Sequence, residues 1–117
     1  RDVDRWMRAV LKGRVVPPKQ QAEWMALVSI RTGEPIADVT ADDPRGFSLG
    51  LGKAVLGSFG AHWFYQGETL GYRTLYVWFE KEELMITLQT NSQPAAEADK
   101  LHDLVGVIYD IVRGDAK

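Results

Sequence analysis

The sequence contains no cysteine, which excludes disulfides and thiolate chemistry of every kind. It has two histidines, His62 and His102, at unrelated places. Two such residues do not make a zinc site. The acids Asp38, Asp42 and Asp43 lack the alternating ligand spacing and closing glutamate of a calcium loop, and read as solvated turn residues. No metal and no other cofactor is expected. No apolar run reaches transmembrane length, and no signal peptide is visible. Charge of one sign is also scarce: 14 Lys and Arg stand against 16 Asp and Glu, a net charge of −2. That near balance argues against nucleic acid as the main partner. No internal repeat or low-complexity tract is present.

What the chain does have is aromatic and aliphatic surface to bury. Its 117 residues allow one small domain, and an apolar share of 45% is that of a folded globular chain. Four Trp, four Tyr and four Phe are many for this length. A small domain buries a smaller fraction of its surface than a large one. Some of these rings are therefore expected to be exposed, or covered by a partner or an absent segment. The charge is uneven. Arg1, Arg5, Arg8, Lys12, Arg14 and Lys19 make the start basic, whereas residues 80–115 are mostly acidic. Arg5, Arg8 and Lys12 read as the solvated face of a helix.

The periodicity divides the chain into a helical segment, 1–28, a loop, 29–46, and a sheet with a closing helix, 47–117. Val3, Trp6, Met7, Val10 and Leu11 form one helical stripe, with Asp2 as N-cap and Gly13 as stop. Pro17-Pro18 permits a second helix over 19–28, with Trp24, Leu27 and Val28 turned inward. Residues 29–46 show no period and are rich in turn formers, so a long loop is expected. Residues 47–55 read as one bent strand through Gly50 and Gly52. Strands follow over 61–66, 72–79 and 84–90, the last two joined by the charged turn 80–83. The final helix spans 97–113, with Pro94 suited to its first turn and Gly114 to its end. Its stripe is Leu101, Leu104, Val105, Ile108, Ile111 and Val112. The expected class is α+β: an antiparallel meander with the C-terminal helix across one face and two N-terminal helices.

One stretch is more specific. Tyr65-Gln66-Gly67 is followed by Gly71-Tyr72 and by the run Leu75-Tyr76-Val77-Trp78-Phe79. An acidic turn, a second apolar run and Asn91-Ser92 come next. This order resembles the C-terminal part of the serine hydrolases that include class C β-lactamases, D-alanyl-D-alanine carboxypeptidases and related esterases, a penicillin-binding-protein-like group. The resemblance covers residues 46–112. In that family a motif such as Lys-Thr-Gly or His-x-Gly opens an inner strand that lines the active site. Spacing from Gly71-Tyr72 puts Tyr65 at its first position and Gly67 at its third. Starting from His62 would supply a histidine, but His62-Trp63-Phe64 lacks the glycine and fits the spacing less well. His62 is expected to pack beside Trp63.

The resemblance implies catalytic positions at Tyr65 and Gly67 and a substrate rim at Gln66, Glu68 and Thr69. Tyr65 departs from the usual lysine or histidine. A phenol, with an ordinary pKa near ~10, supplies no positive charge at neutral pH but still donates or accepts a hydrogen bond. The bland alternative is a strand tyrosine with its hydroxyl in water. Turn chemistry explains Glu68 and Thr69 equally well, and Arg73 and Gln89 read as ordinary face residues.

The family's nucleophile motif, Ser-x-x-Lys, is absent. Three positions beyond Ser29, Ser48, Ser58 and Ser92 stand Thr32, Leu51, Ala61 and Ala95. Its Tyr-x-Asn motif is absent too, since Gly67, Thr74, Trp78 and Ile111 stand two positions beyond the tyrosines. The chain starts at Arg1, and the expectation is the C-terminal piece of a longer enzyme. Its partners would be the N-terminal portion of that parent and a small acyl or peptide substrate. By resemblance the parent would be periplasmic or secreted. The alternative is a self-sufficient, non-catalytic α+β binding or oligomerisation module. An exposed edge or sheet face makes a homo-oligomer possible under either reading.

Overall fold

The computed structural model describes residues 1–56, 59–92 and 100–114. Helix α1, Asp2–Leu11, buries Met7 and Val10 and carries Asp2 and Asp4 in its first turn, where they oppose the helix dipole. Arg1, not Asp2, is the N-cap. The helix ends as expected. Gly13 turns left-handed (φ 65°), its N–H reaching the Val10 carbonyl and the Arg14 N–H the Ala9 carbonyl.

Helix α2, Pro18–Met25, is shorter than the expected 19–28. Ala26 is extended, and Leu27–Ser29 forms strand β1. Here pairing overrides the helical pattern: Leu27 lies opposite Ile36, and Val28 lies opposite both Pro35 and Phe47. The expected long loop is likewise corrected. Residues 29–46 contain β2, Pro35–Ile36, and begin β3, Arg45–Phe47. The single bent strand over 47–55 is in fact a turn between β3 and β4, Gly52–Val55. Gly50 (φ 87°) supplies the left-handed residue that reverses the chain, and the Ser48 N–H closes the turn on the Leu51 carbonyl at 2.8 Å.

The expected meander stands. Strands β5, Ala61–Thr69, β6, Tyr72–Phe79, and β7, Leu84–Thr90, pair antiparallel in chain order. β5 is longer than the 61–66 expected. The seven strands among the described residues form one antiparallel sheet of order β2-β1-β3-β4-β5-β6-β7. The fold is α+β.

Strand alternation builds a core on each face. On one face Leu27, Leu51, Trp63, Trp78 and Met85 meet Met7 and Val10, with Trp24 and Met25 packed alongside. On the other, Leu75, Val77, Phe79 and Ile86 meet helix α3, Leu101–Arg113. α3 ends at the left-handed Gly114, as expected. Pro94 and the start proposed for this helix at 97 lie outside the described residues. The inward stripe is narrower than expected: Leu101, Val105 and Tyr109 are buried and Ile108 is half-buried, while Leu104, Ile111 and Val112 are exposed. Tyr109 takes the inner position because its ring lies 4.4 Å from that of Phe79 and its hydroxyl donates to Glu82 at 3.1 Å. No described helix is long and apolar enough to cross a membrane.

Candidate functional site

Strand β5 outruns its neighbour. β4 pairs with residues 61–64 only, from Val55 opposite Ala61 to Gly52 opposite Phe64. β6 pairs with β5 as far as Thr69. Residues 65–69 therefore have no strand partner on the β4 side among the described residues. An unpaired strand edge offers backbone N–H and C=O groups to whatever approaches. Tyr65-Gln66-Gly67 lies at the start of this edge.

Alternation sorts the five sequence-predicted residues onto two faces. Tyr65, Gly67 and Thr69 share the face of Trp63 and the two N-terminal helices. Gln66 and Glu68 turn to the α3 face, where both have partners. Gln66 Oε1 accepts a hydrogen bond from His102 Nε2 at 3.0 Å, and Glu68 Oε2 lies 3.5 Å from Nε of the buried Arg73. The structure thus brings Tyr65 and Gly67 together and places the Gln66 and Glu68 side chains on the other side of the sheet. Thr69 is exposed at the strand end, opposite Tyr72.

Tyr65 is 40% exposed and sits between two rings, Phe47 at 6.3 Å and Tyr76 at 6.4 Å. Tyr76 is its direct cross-strand partner. Burial, aided by the neighbouring Tyr65, pushes the Tyr76 phenol up to about 12, so it stays a neutral O–H at physiological pH. A Cβ at Gly67 would meet nothing within 4 Å. No packing contact demands glycine there, and the position is open to an approaching group.

Three other polar residues were not legible as a unit. Lys53, on β4, is buried over the Trp63 ring at 5.0 Å, with Asp38 Oδ1 at 2.9 Å and Glu80 Oε2 at 3.4 Å. Burial pushes the Asp38 carboxyl up, but hydrogen bonds from Lys53 and the Val39 N–H outweigh it and the net shift is downward. Lys53 ties the 37–44 connection and the β6–β7 turn to the sheet beside the site. A lone lysine in phase with Leu51 was its only sequence signal.

His62 does not pack beside Trp63, because adjacent strand residues face opposite ways. It is buried on the α3 face, 5.5 Å from the Phe79 ring and 6.0 Å from Phe64, and its Nδ1 donates to the Gly60 carbonyl at 3.1 Å. His102 shares with it a small cavity of about 100 Å³ under α3. Burial lowers the His62 pKa below its ordinary 6.5, against the Gly60 hydrogen bond and with a contribution from His102. The folded state therefore favours neutral His62. Stability from this group is complete above pH ~6.5 and falls as pH drops from there toward the folded value, by at most about 1.4 kcal/mol per pH unit. Thermal melts from pH 7.5 to 5 should show this loss, and His62→Gln should flatten it. An unchanged slope in that variant would assign the acid sensitivity elsewhere.

Among the described residues no serine hydroxyl bonds to a histidine or lysine. Ser29 Oγ accepts from the Arg31 and Thr32 N–H groups, Ser48 Oγ donates to the Leu51 carbonyl, and Ser92 pairs with Thr90. Ser58 lies outside the described residues. No group of three or more His, Cys, Asp or Glu residues suited to a metal occurs among them either. The site can thus position a ligand through a phenol and a strand edge. Among the described residues it contains no assembled nucleophile and base. No family model, curated protein or solved structure matches the chain.

Proposed function

We propose that this chain is the C-terminal portion of a β-lactamase-like serine hydrolase, supplying the strand that lines the active site but not the nucleophile. The observation that carries this reading is the free edge of β5 at Tyr65-Gln66-Gly67. An acyl-transfer site needs N–H donors aimed at the developing oxyanion, and a strand edge with an open glycine offers them. Tyr65 would stand where the resembled enzymes place a lysine or histidine, acting as a neutral hydrogen-bonding group. The parent would acylate an upstream serine with an amide, ester or lactam carbonyl and then hydrolyse the acyl-enzyme. Gln66, Glu68 and Thr69 would belong to the rim through their backbone, and Thr69 also through its hydroxyl.

The same edge favours one other reading. A free strand edge can hold an extended peptide by strand addition without any chemistry, which would make the chain a binding module. The in-frame coding sequence upstream of Arg1 separates the two. A Ser-x-x-Lys followed by a Tyr-x-Asn is expected, and a start codon within a few residues would overturn the hydrolase reading. The isolated chain should hydrolyse neither nitrocefin-like lactams nor p-nitrophenyl esters above background, and mass spectrometry should find no adduct with a labelled penicillin. A stoichiometric adduct on Ser29, Ser48, Ser58 or Ser92 would show that the nucleophile is not upstream.

A further inference from the structure

Beneath α3 the sheet leaves a cavity of about 100 Å³. Phe59, Phe64 and Phe79 lie on its wall with Val77 and Val105. The rings are close-set. Phe79 is 6.2 Å from Phe59 and 5.5 Å from the imidazole of His62, which is 6.0 Å from Phe64. Among the described residues no carboxylate, lysine or arginine lines the space, so an ion entering it would shed water without meeting a counter-charge. Leu56 and His102 complete the lining and are themselves exposed, which marks the mouth.

One polar atom on this wall is uncommitted. His62 is 6% exposed, and its Nδ1 donates to the Gly60 carbonyl at 3.1 Å. That bond fixes the tautomer: the proton sits on Nδ1, and Nε2 keeps its lone pair. Burial holds the ring neutral, so the lone pair persists at physiological pH. Among the described residues nothing donates to Nε2. His102, by contrast, gives its Nε2 proton to Gln66 Oε1 at 3.0 Å. A space of this volume would take about three waters, each wanting about three partners. Two imidazoles in an apolar wall cannot supply them.

We propose that the cavity binds a small neutral molecule with a flat, apolar body and a single N–H or O–H donor, which His62 Nε2 accepts. An apolar cavity of about 150 Å³ takes benzene, so this one fits a slightly smaller body, the size of a five-membered ring. Such a ring packs edge-to-face against the phenylalanines. Its donor supplies the hydrogen bond that the wall lacks. A molecule of the same shape with an acceptor in that place would set one lone pair against another and leave Nε2 unpaired in a dry site. A fused two-ring molecule would not enter without parting α3 from the sheet. The cavity is on the α3 face, and its binding does not depend on whether the β5 edge belongs to a hydrolase.

Pyrrole and furan are alike in size, with the N–H of one replaced by the oxygen of the other. Titrated into the chain, pyrrole should bind saturably and at least ~10-fold more tightly than furan, and indole should not bind. In NMR spectra of the wild type, the His62 Nε2 resonance should move upfield as it accepts the bond, while Nδ1 stays. Amide shifts should centre on His62, Val77, Phe79 and Val105. His62→Leu keeps an apolar wall and removes the acceptor, so pyrrole should lose its preference over furan. Val105→Leu pushes a methylene into the space and should weaken both ligands. Where His62→Leu fails to fold, the wild-type Nε2 resonance decides. No saturable pyrrole binding would overturn the proposal. So would equal affinity for furan in the wild type, a preference that survives His62→Leu, or pyrrole shifts that map elsewhere while Nε2 stays still.

Discussion

Replacing Phe79 by alanine should lower the unfolding free energy by about 3–5 kcal/mol, the range for deleting a buried aromatic ring. Phe79 is 1% exposed and stands at the centre of the α3-side core. Its ring lies 4.4 Å from Tyr109, 5.5 Å from His62 and 6.2 Å from Phe59. These groups come from α3, β5 and the connection before β5, and the strand under Phe79 is paired on both sides. None can move far to fill the space, so most of the cavity would persist. Urea unfolding should show an earlier midpoint at nearly constant slope. A loss below about 1 kcal/mol would mean that α3 does not close over Phe79.

Ile108→Asp should cost about 3 kcal/mol or more. Ile108 is half-buried on α3 against the core that holds Leu84 and Leu88. A carboxylate there loses water without gaining a cation, and leaving a charge unpaired in apolar surroundings is among the largest single-residue penalties. Val112→Asp is the control, because Val112 is 59% exposed on the same helix. It should change stability by no more than about 0.5 kcal/mol. Thermal melts of the two variants separate the buried part of the stripe from the exposed part. Equal melting temperatures would show Ile108 to be solvated as well.

How far the sequence disclosed this fold depends on element length. β5, β6 and β7 are long, and their alternation or unbroken apolar runs left no competing pattern. The turn at 80–83 was legible from its charge. Residues 27–55 were not. Their strands are two to four residues long, too short for a period to emerge, and distant pairing holds them. Val28 is extended because Phe47 lies beside it, and nothing within the helical pattern of 19–28 signals that. The start of α2 was readable from Pro17-Pro18, but its end depended on the sheet. In α3 the spacing located the helix, whereas the choice of Tyr109 over Leu104 for the inner face needed Phe79 and Glu82 in place.

The candidate site divides the same way. Tyr65-Gln66-Gly67 stood out through the order of elements around it. The neighbours of Tyr65 did not, because Phe47 and Tyr76 reach it through strand register. The pairing of Gln66 with His102 spans 36 positions. The cluster of Lys53, Asp38 and Glu80 joins three segments with no local signature. The free edge at 65–69 is a difference in length between two strands, and only a solved register displays it.

Neighbouring residues of β6 belong to opposite cores: Leu75, Val77 and Phe79 face α3, while Tyr76 and Trp78 face the N-terminal helices. Neither core can melt alone, because loosening one frees the backbone that anchors the other. Heat should therefore meet a single cooperative unit despite the two separate helical layers. With association accounted for, calorimetric and van't Hoff enthalpies should agree, and fluorescence from Trp78 should change in step with helical ellipticity. Two resolved transitions would mean that β6 tolerates the loss of one layer while keeping its pairing with β5 and β7.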